Sequence, residues 1–362
     1  MNERVLAERT IGGLQDFLGE VPAIFRVARK EPRGKRQGDQ LRPDALLGLS
    51  LKAGGRQTWI VEARSLPLEP KAAEMAAFQV KKFLQAGLGD YGVVTAPFVS
   101  PRAAEILQRE GMGYFDLSGN CLLVSGALFI ERGGHPNAFA RKGALRSLFT
   151  PAAERVLRAL LDPENQRVAW TLRALAQAAY PGVSLGQVHK VRLRLEEQAY
   201  LQEEGGIRLR EPAKLLEEWA KNYRFERNGV ARYYSPLQPA ELRARFLSLV
   251  TAPRGPLVLG RLASFTAAEV LAPQVRQFRF FAYWQGDAAE LAKSLELRSV
   301  SSGDNVVIYW PYDEGVLYPA VGGNEPVTAP VQTYLDLMAS ASRGEDAAES
   351  VFEKCLKGAY GG

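Results

Sequence analysis

The sequence predicts an α/β multidomain protein of three segments, at 1–146, 147–225 and 226–362. Three observations carry this. Strand-like and helix-like runs alternate through the first segment. A helix, a turn, a basic helix and a hairpin follow one another in the second. The third mixes helices with strands and ends in a helical tail. At 362 residues the chain exceeds one ordinary domain, and each segment is long enough to bury a core.

In the first segment, Leu41 to Leu51 and Thr58 to Arg64 predict strands, and a helix follows near Lys71 to Ala86. Next come a strand at Tyr91 to Thr95, a helix at Pro101 to Glu110, and strands around Phe115 to Ser125 and Leu128 to Glu131. Pro43-Asp44 opens one strand-like run and Glu62-Ala63-Arg64 ends the next, 18 positions later. An Asp and a Glu on neighbouring strands offer two carboxylates to a hard divalent ion. A residue two places past the Glu lies on the same strand face. This pattern, with Gln79 on the following helix and Glu20 on an opening helix, resembles the PD-(D/E)XK nucleases, in which the third position is normally Lys. Here it is Arg64, whose guanidinium stays protonated and takes no proton from water. No cleavage is therefore expected, and Asp44 and Glu62 are the pair that would hold magnesium if the site were active. Asp116 and Asn120 flank a Ser-Gly turn, where they are expected to hold a chain reversal.

The second segment opens with a helix at Ala152 to Leu161 and continues with an amphipathic run from Trp170 to Ala179. Tyr180-Pro181-Gly182-Val183 breaks that run. Ser184 then caps a new helix, and Gln187 three positions on completes a capping box. Within it Val188, Val191 and Leu195 recur at helical spacing and should face inward, while Gln187, Lys190 and Arg194 share a polar face suited to a major groove. Gln187 either caps the helix or meets DNA, and His189 is either half-buried or near a phosphate. Tyr200-Leu201 and Ile207 to Arg210 flank Glu203-Glu204-Gly205-Gly206 as a short hairpin, which places Arg208 and Arg210 beside a DNA backbone. The whole reads as a winged helix-turn-helix, entered by the helix at 152 and left by Pro212 to Tyr223. Its DNA-binding residues would be Ser184, Gln187, Lys190, Arg194, Arg208 and Arg210.

Composition narrows the chemistry. The 46 Lys and Arg against 40 Asp and Glu give a net charge of +6, and the pI is near 9.2, which suits a polyanionic partner. Arg33, Lys35 and Arg36 cluster in one loop, and Arg141, Lys142 and Arg146 in another. Cys121 and Cys355 are far apart and have no metal-ligand spacing. His135, in a Gly-Gly-His-Pro turn, and His189 are the two histidines, so any catalysis would rest on carboxylates. MNERVLAERT lacks the apolar core of a signal peptide, and no run of about 18 apolar residues occurs. A cytoplasmic location away from any membrane is expected.

The third segment begins after Arg227-Asn228-Gly229 and includes strands at Phe278 to Tyr283 and Val306 to Trp310. Four stretches carry a resemblance over most of the chain: Val93 to Ser100, Gly113 to Asn120, Val331 to Leu337 and Arg343 to Glu349. They resemble the AbiEi-family antitoxins of type IV toxin-antitoxin systems and related transcriptional regulators. The shortest of those open directly with the winged helix, whereas this chain carries a segment before it. The resemblance implies a regulator that represses its own operon, a cognate toxin, and a C-terminal nucleotidyltransferase-like α/β domain. A working nucleotidyltransferase clamps two metals with paired Asp residues on a strand. Leu259-Gly260-Arg261-Leu262 keeps at most a relic of its turn, and Asp313 and Glu314 are adjacent, so on a strand they would point to opposite faces. A non-catalytic binding module is expected there.

The reading is thus a sequence-specific DNA-binding regulator that partners duplex DNA and a cognate toxin, needs no cofactor, and has a homo-oligomer open to it. The alternative is a magnesium-dependent DNA nuclease targeted by its winged helix. A protein-interaction scaffold is the third.

Overall fold

Hydrophobic alternation in the first segment closes into one seven-stranded sheet. The computed structural model describes residues 3–30, 42–52, 54–139, 147–202, 205–252, 259–273, 278–318, 325–340 and 343–361. Three expected features lie outside the described residues: the Arg33, Lys35, Arg36 cluster, the Arg141, Lys142, Arg146 cluster, and the Glu203-Glu204 tip of the hairpin. The chain divides into two compact units, one of residues 1–144 with 196–199 and one of residues 145–195 with 200–362.

The first unit runs α1 (Glu3–Gly19), β1 (Ile24–Lys30), β2 (Ala45–Leu51), β3 (Arg56–Ala63), α2 (Pro70–Gln85), β4 (Tyr91–Ala96), α3 (Pro101–Arg109), β5 (Gly113–Asp116), β6 (Cys121–Ser125) and β7 (Leu128–Arg132). Its strands pair in chain order. β3, β4 and β5 are parallel because α2 and α3 cross between them, and the remaining pairs are antiparallel. Pro at the start of both crossover helices fits the first turn, where an amide donor has no partner to lose. α2 and α3 bury Ala77, Val80, Ile106 and Leu107 against Val94 and Ala96 on one face. α1 lays Ile11, Leu14 and Leu18 on Trp59, Val61 and Val93 on the other. A Cβ at Gly92 would come within 2.2 Å of Val80 Cγ1, so glycine sets how closely α2 approaches β4. β2 begins only at Ala45, later than the expected run from Leu41. β1, which the sequence reading missed, is an edge strand whose Phe25 is 77% exposed, so its apolar residues do not alternate cleanly.

The second unit begins with α4 (Pro151–Leu161), α5 (Leu172–Ala178), α6 (Leu185–Glu197) and α7 (Pro212–Asn222). It continues with β8 (Gly229–Tyr234), α8 (Pro239–Thr251), β9 (Gly260–Leu262), α9 (Ser264–Leu271), β10 (Phe280–Trp284), α10 (Ala288–Ser294), β11 (Arg298–Ser299) and β12 (Val306–Trp310). α11 (Pro330–Met338), α12 (Gly344–Val351) and α13 (Lys357–Tyr360) close it. The sheet order is β11-β8-β12-β10-β9, with β10 and β12 parallel and the other pairs antiparallel. β10 starts two residues later than the expected strand, since Phe278 is 98% exposed. Phe246 of α8 packs on Phe280 and Trp284 at one face of this sheet. Leu157, Val191, Trp219, Leu335 and Val351 belong to one core, so α4 to α7 and the C-terminal helices are buried together.

A buried polar network runs through that core. Asp336 of α11 is fully buried, and its Oδ1 accepts from Tyr223 Oη at 2.9 Å, Tyr283 Oη at 2.9 Å and Gln332 Nε2 at 2.8 Å. Arg158 of α4 donates from Nε and Nη2 to Gln332 Oε1 at 2.9 and 2.6 Å, and stacks over Trp219. Tyr312 donates to Glu154, also on α4, and Arg155 forks onto Asp313 with contacts of 2.8 to 3.2 Å.

The core makes a sharp stability contrast on α6. Leu195 is fully buried and Leu193 is 41% exposed. Leu195→Ala should lower the unfolding free energy by about 2–5 kcal/mol, and Leu193→Ala should move it by roughly 0.5 kcal/mol or less. Urea denaturation of the two variants checks this, and equal losses would contradict the observed helix face.

Burial pushes the Asp336 carboxyl up to about 7, against the bonds from Tyr223, Tyr283 and Gln332 that favour its charged form. The folded state therefore holds this proton more tightly than the unfolded chain. The stability it confers is complete below pH ~4, the range of an unfolded Asp, and is lost as pH rises to about 7. Asp336→Asn cannot ionise, so its stability relative to the parent should improve by more than about 1 kcal/mol between pH 5 and pH 8. Denaturation at the two pH values reads this, and a pH-independent difference would refute it.

Candidate nucleic-acid interface

α6 is positioned by its inner stripe. Val188, Val191 and Leu195 are buried as their spacing predicts, which turns His189 and Lys190 to solvent and leaves Gln187 and Arg194 partly exposed. Ser184 Oγ accepts from Gln187 N at 3.2 Å, the capping half of the expected box. No bond from the Gln187 amide back to Ser184 is present among the described residues, so the box does not close and Gln187 is not consumed by it. Thr171 caps α5 in the same way, accepting from Ala174 N at 3.2 Å. The turn between α5 and α6 is built on Tyr180-Pro181, a cis peptide.

The hairpin after α6 is held by Gln202 N to Arg208 O at 3.0 Å and Arg210 N to Tyr200 O at 2.7 Å. Its far strand reaches back, since Trp170 and Ile207 exchange both backbone bonds, at 3.1 and 2.9 Å. Arg210 is exposed. Arg208 is half-buried, and its Nε lies inside the protein without a hydrogen-bond partner among the described residues. Two further cations that the sequence reading passed over, Arg167 and Arg173, are exposed just before and at the first turn of α5. Each stands alone in the sequence, so no local basic cluster marked them.

In the first unit the structure brings the carboxylates together. Asp44 precedes β2 directly, and the register pairing Ala45 with Val61 puts Asp44 opposite Glu62 of β3. Asp44 is exposed and its Oδ2 accepts from Ala63 N at 2.8 Å. Glu62 is buried, and its carboxyl is pushed upward by that burial and by the charge of Asp44, against Arg64. Arg64 Nη1 donates to Glu62 Oε1 at 2.7 Å and Nη2 to Gln79 Oε1 at 2.7 Å. Glu20 is exposed just past α1, and α1 packs against Val61 and Ala63, the face opposite Glu62. These residues fit a divalent ion poorly. A guanidinium already occupies the buried carboxylate, and no group of three metal-ligating side chains occurs among the described residues.

The Asp116 turn is structural. Asp116 is fully buried and accepts from Asn120 N, Asn120 Nδ2 and Val99 N at 2.8 to 3.0 Å. Gly119, at φ +107, supplies the reversal. His135 lies in the same turn system, its backbone N–H donating to Asn120 Oδ1 at 2.9 Å.

In the second unit, β10 and β12 carry no acidic side chain. Asp313 and Glu314 lie beyond β12, not on a strand. Asp313 caps the following 3-10 turn through Gly315 N at 2.8 Å and is held by Arg155, while Glu314 is exposed. Gly260 and Arg261 lie on the strand β9, paired with β10, and not in the turn expected there; Arg261 Nε donates to Leu317 O at 2.8 Å. Among the described residues, no helix is long and apolar enough to cross a membrane.

No curated protein and no solved structure matches the chain. From the far strand of the hairpin to the last helices it does match a family. Residues 208–357 match the model of the family described as transcriptional regulator, AbiEi antitoxin, type IV toxin-antitoxin system.

Proposed function

We propose that residues 147–225 form a winged helix-turn-helix that binds duplex DNA, and that the protein is a sequence-specific regulator of its own operon, the antitoxin of a type IV pair. The observation that carries this reading is α6. It is a capped helix with one buried stripe, an outward Lys190 and a partly exposed Arg194, followed by a hairpin that pairs back to Trp170. In this reading Gln187 and Lys190 face base edges, Ser184 and Arg194 approach phosphates, and Arg210 with Arg208 forms the wing contact. Arg167 and Arg173 add backbone contacts. Such a protein works in the cytoplasm beside a toxin encoded with it.

The domain at 1–146 is read as a nuclease-like fold that has lost cleavage, and the domain at 226–362 as a nucleotidyltransferase-like fold used for binding. Arg64 supports the first, because it fills the place of a water-positioning lysine with a group that locks Glu62. The absence of carboxylates on β10 and β12 supports the second.

Fluorescence anisotropy with labelled DNA from upstream of the gene tests the interface. Lys190→Ala and Arg194→Ala should each weaken binding and, for a phosphate contact, flatten the salt dependence by roughly one unit of slope. A double variant with unaltered affinity and slope would remove α6 from the interface.

Incubation of the purified protein with duplex and single-stranded DNA in magnesium or manganese should leave both uncut. Cutting that Asp44→Ala and Glu62→Ala each abolish, with DNA binding retained, would replace the regulator by the nuclease.

A further inference from the structure

One face of the second sheet is left as the floor of a cleft of about 1880 Å³, entirely within the second unit. The register shows what that floor is. Phe281 of β10 sits beside Val307 of β12, which sits opposite Arg232 of β8, so the three share one row on one face. The next row on the same face is Tyr283, Tyr309 and Val230. Aromatic rings and a guanidinium therefore lie side by side; Phe265 and Phe225 pack on Phe281 and Tyr309, so the rings reach the cleft only at their edges, while Val230 is 46% exposed.

The cations along this floor are grouped. Arg232 and Arg279 both reach the carboxylate of Asp304, at 3.8 and 3.4 Å, and the Asp304 side chain is only 5% exposed. Asp304 Oδ2 makes no hydrogen bond among the described residues. Two guanidiniums thus share one loosely engaged carboxylate beside the cleft, which Glu226 and Asp346 also line. Arg343, which precedes α12, also lines the cleft, together with Ser340 and Ser350. Planar guanidiniums pair with carboxylate or phosphate oxygens two at a time, and a ring rests on aromatic side chains.

Tyr223 also lines the cleft. Its hydroxyl donates to Asp336 and accepts from Gln332, which in turn accepts from Arg158 of α4. α4 shares its core with α5 and α6. A ligand that moves Tyr223 therefore acts on the side chains that seat the helices carrying Lys190.

We infer that this cleft binds a ring-bearing anion, its phosphate or carboxylate on Arg232 and Arg279 and its ring against the lining Phe225, Phe265 and Phe281 side chains, and that occupancy changes DNA binding. The second clause rests on the function proposed above; the first does not.

Isothermal titration and saturation-transfer NMR on the full chain, with phenyl phosphate, benzoate, adenosine 5′-monophosphate and inorganic phosphate as probes, test the site. At least one ring-bearing anion should bind ten-fold or more tightly than inorganic phosphate, and the pattern among the three separates a nucleotide from a simple aromatic acid. Arg232→Ser with Arg279→Ser should weaken that probe ten-fold or more. Arg298→Ser, an exposed cation of β11 outside the cleft, should leave it unchanged. Ring-bearing probes no better than phosphate, or undiminished in the double variant, overturn the site. Anisotropy with the saturating probe should shift DNA affinity at least three-fold. A bound probe with unmoved DNA affinity overturns the coupling, and a protein that binds the probe but no DNA under any condition overturns the proposed function while the site stands.

Discussion

The buried carboxylate of Asp336 is the constraint around which the second unit is arranged. An acid taken out of water is tolerated only where donors converge on it. Here they come from Tyr223 after α7, Tyr283 on β10 and Gln332 one turn earlier on α11, with Arg158 of α4 joined through Gln332. These donors are directional, so they fix the rotation of each element as well as its distance, which apolar packing alone does less strictly. The helices that would read DNA and the sheet that follows them are accordingly one cooperative body. That is why the boundary expected at residue 225 falls inside a single compact unit.

The same logic explains the first unit in reverse. Glu62 is buried on a strand next to Asp44, an arrangement that elsewhere serves a divalent ion, yet its partner is the guanidinium of Arg64, itself braced by Gln79. An ion pair made within the protein competes with any external cation for the same oxygens. Arg64, Glu62 and Gln79 thus form an internal brace between β3 and α2.

Much of the local structure was legible because it is written at short range. The buried stripe Val188, Val191, Leu195, the Ser184 cap, the hairpin flanks and the strand at Val306 to Trp310 all follow from spacing within a dozen residues. Errors fell where an element lacks a private signal. β1 is an edge strand with an exposed Phe25, β8 alternates apolar residues with arginine and tyrosine, and Phe278 extends an apolar run past the end of its strand. Gln187 fits a capping box by sequence, but the bond back to Ser184 does not form.

By itself the sequence determined many of the helices and strands though not β1 or β8, the facing of α6, the proximity of Asp44 to Glu62 once two strands were paired, and the departure that Arg64 represents. Only the tertiary structure decided which distant groups meet. Arg158 and Gln332, 174 positions apart, share a bond, and Arg232, Arg279 and Asp304 converge at one sheet face. The physical reason is that periodicity records which side of an element is buried, whereas the identity of what it is buried against depends on chain crossings and strand order. No local pattern encodes those.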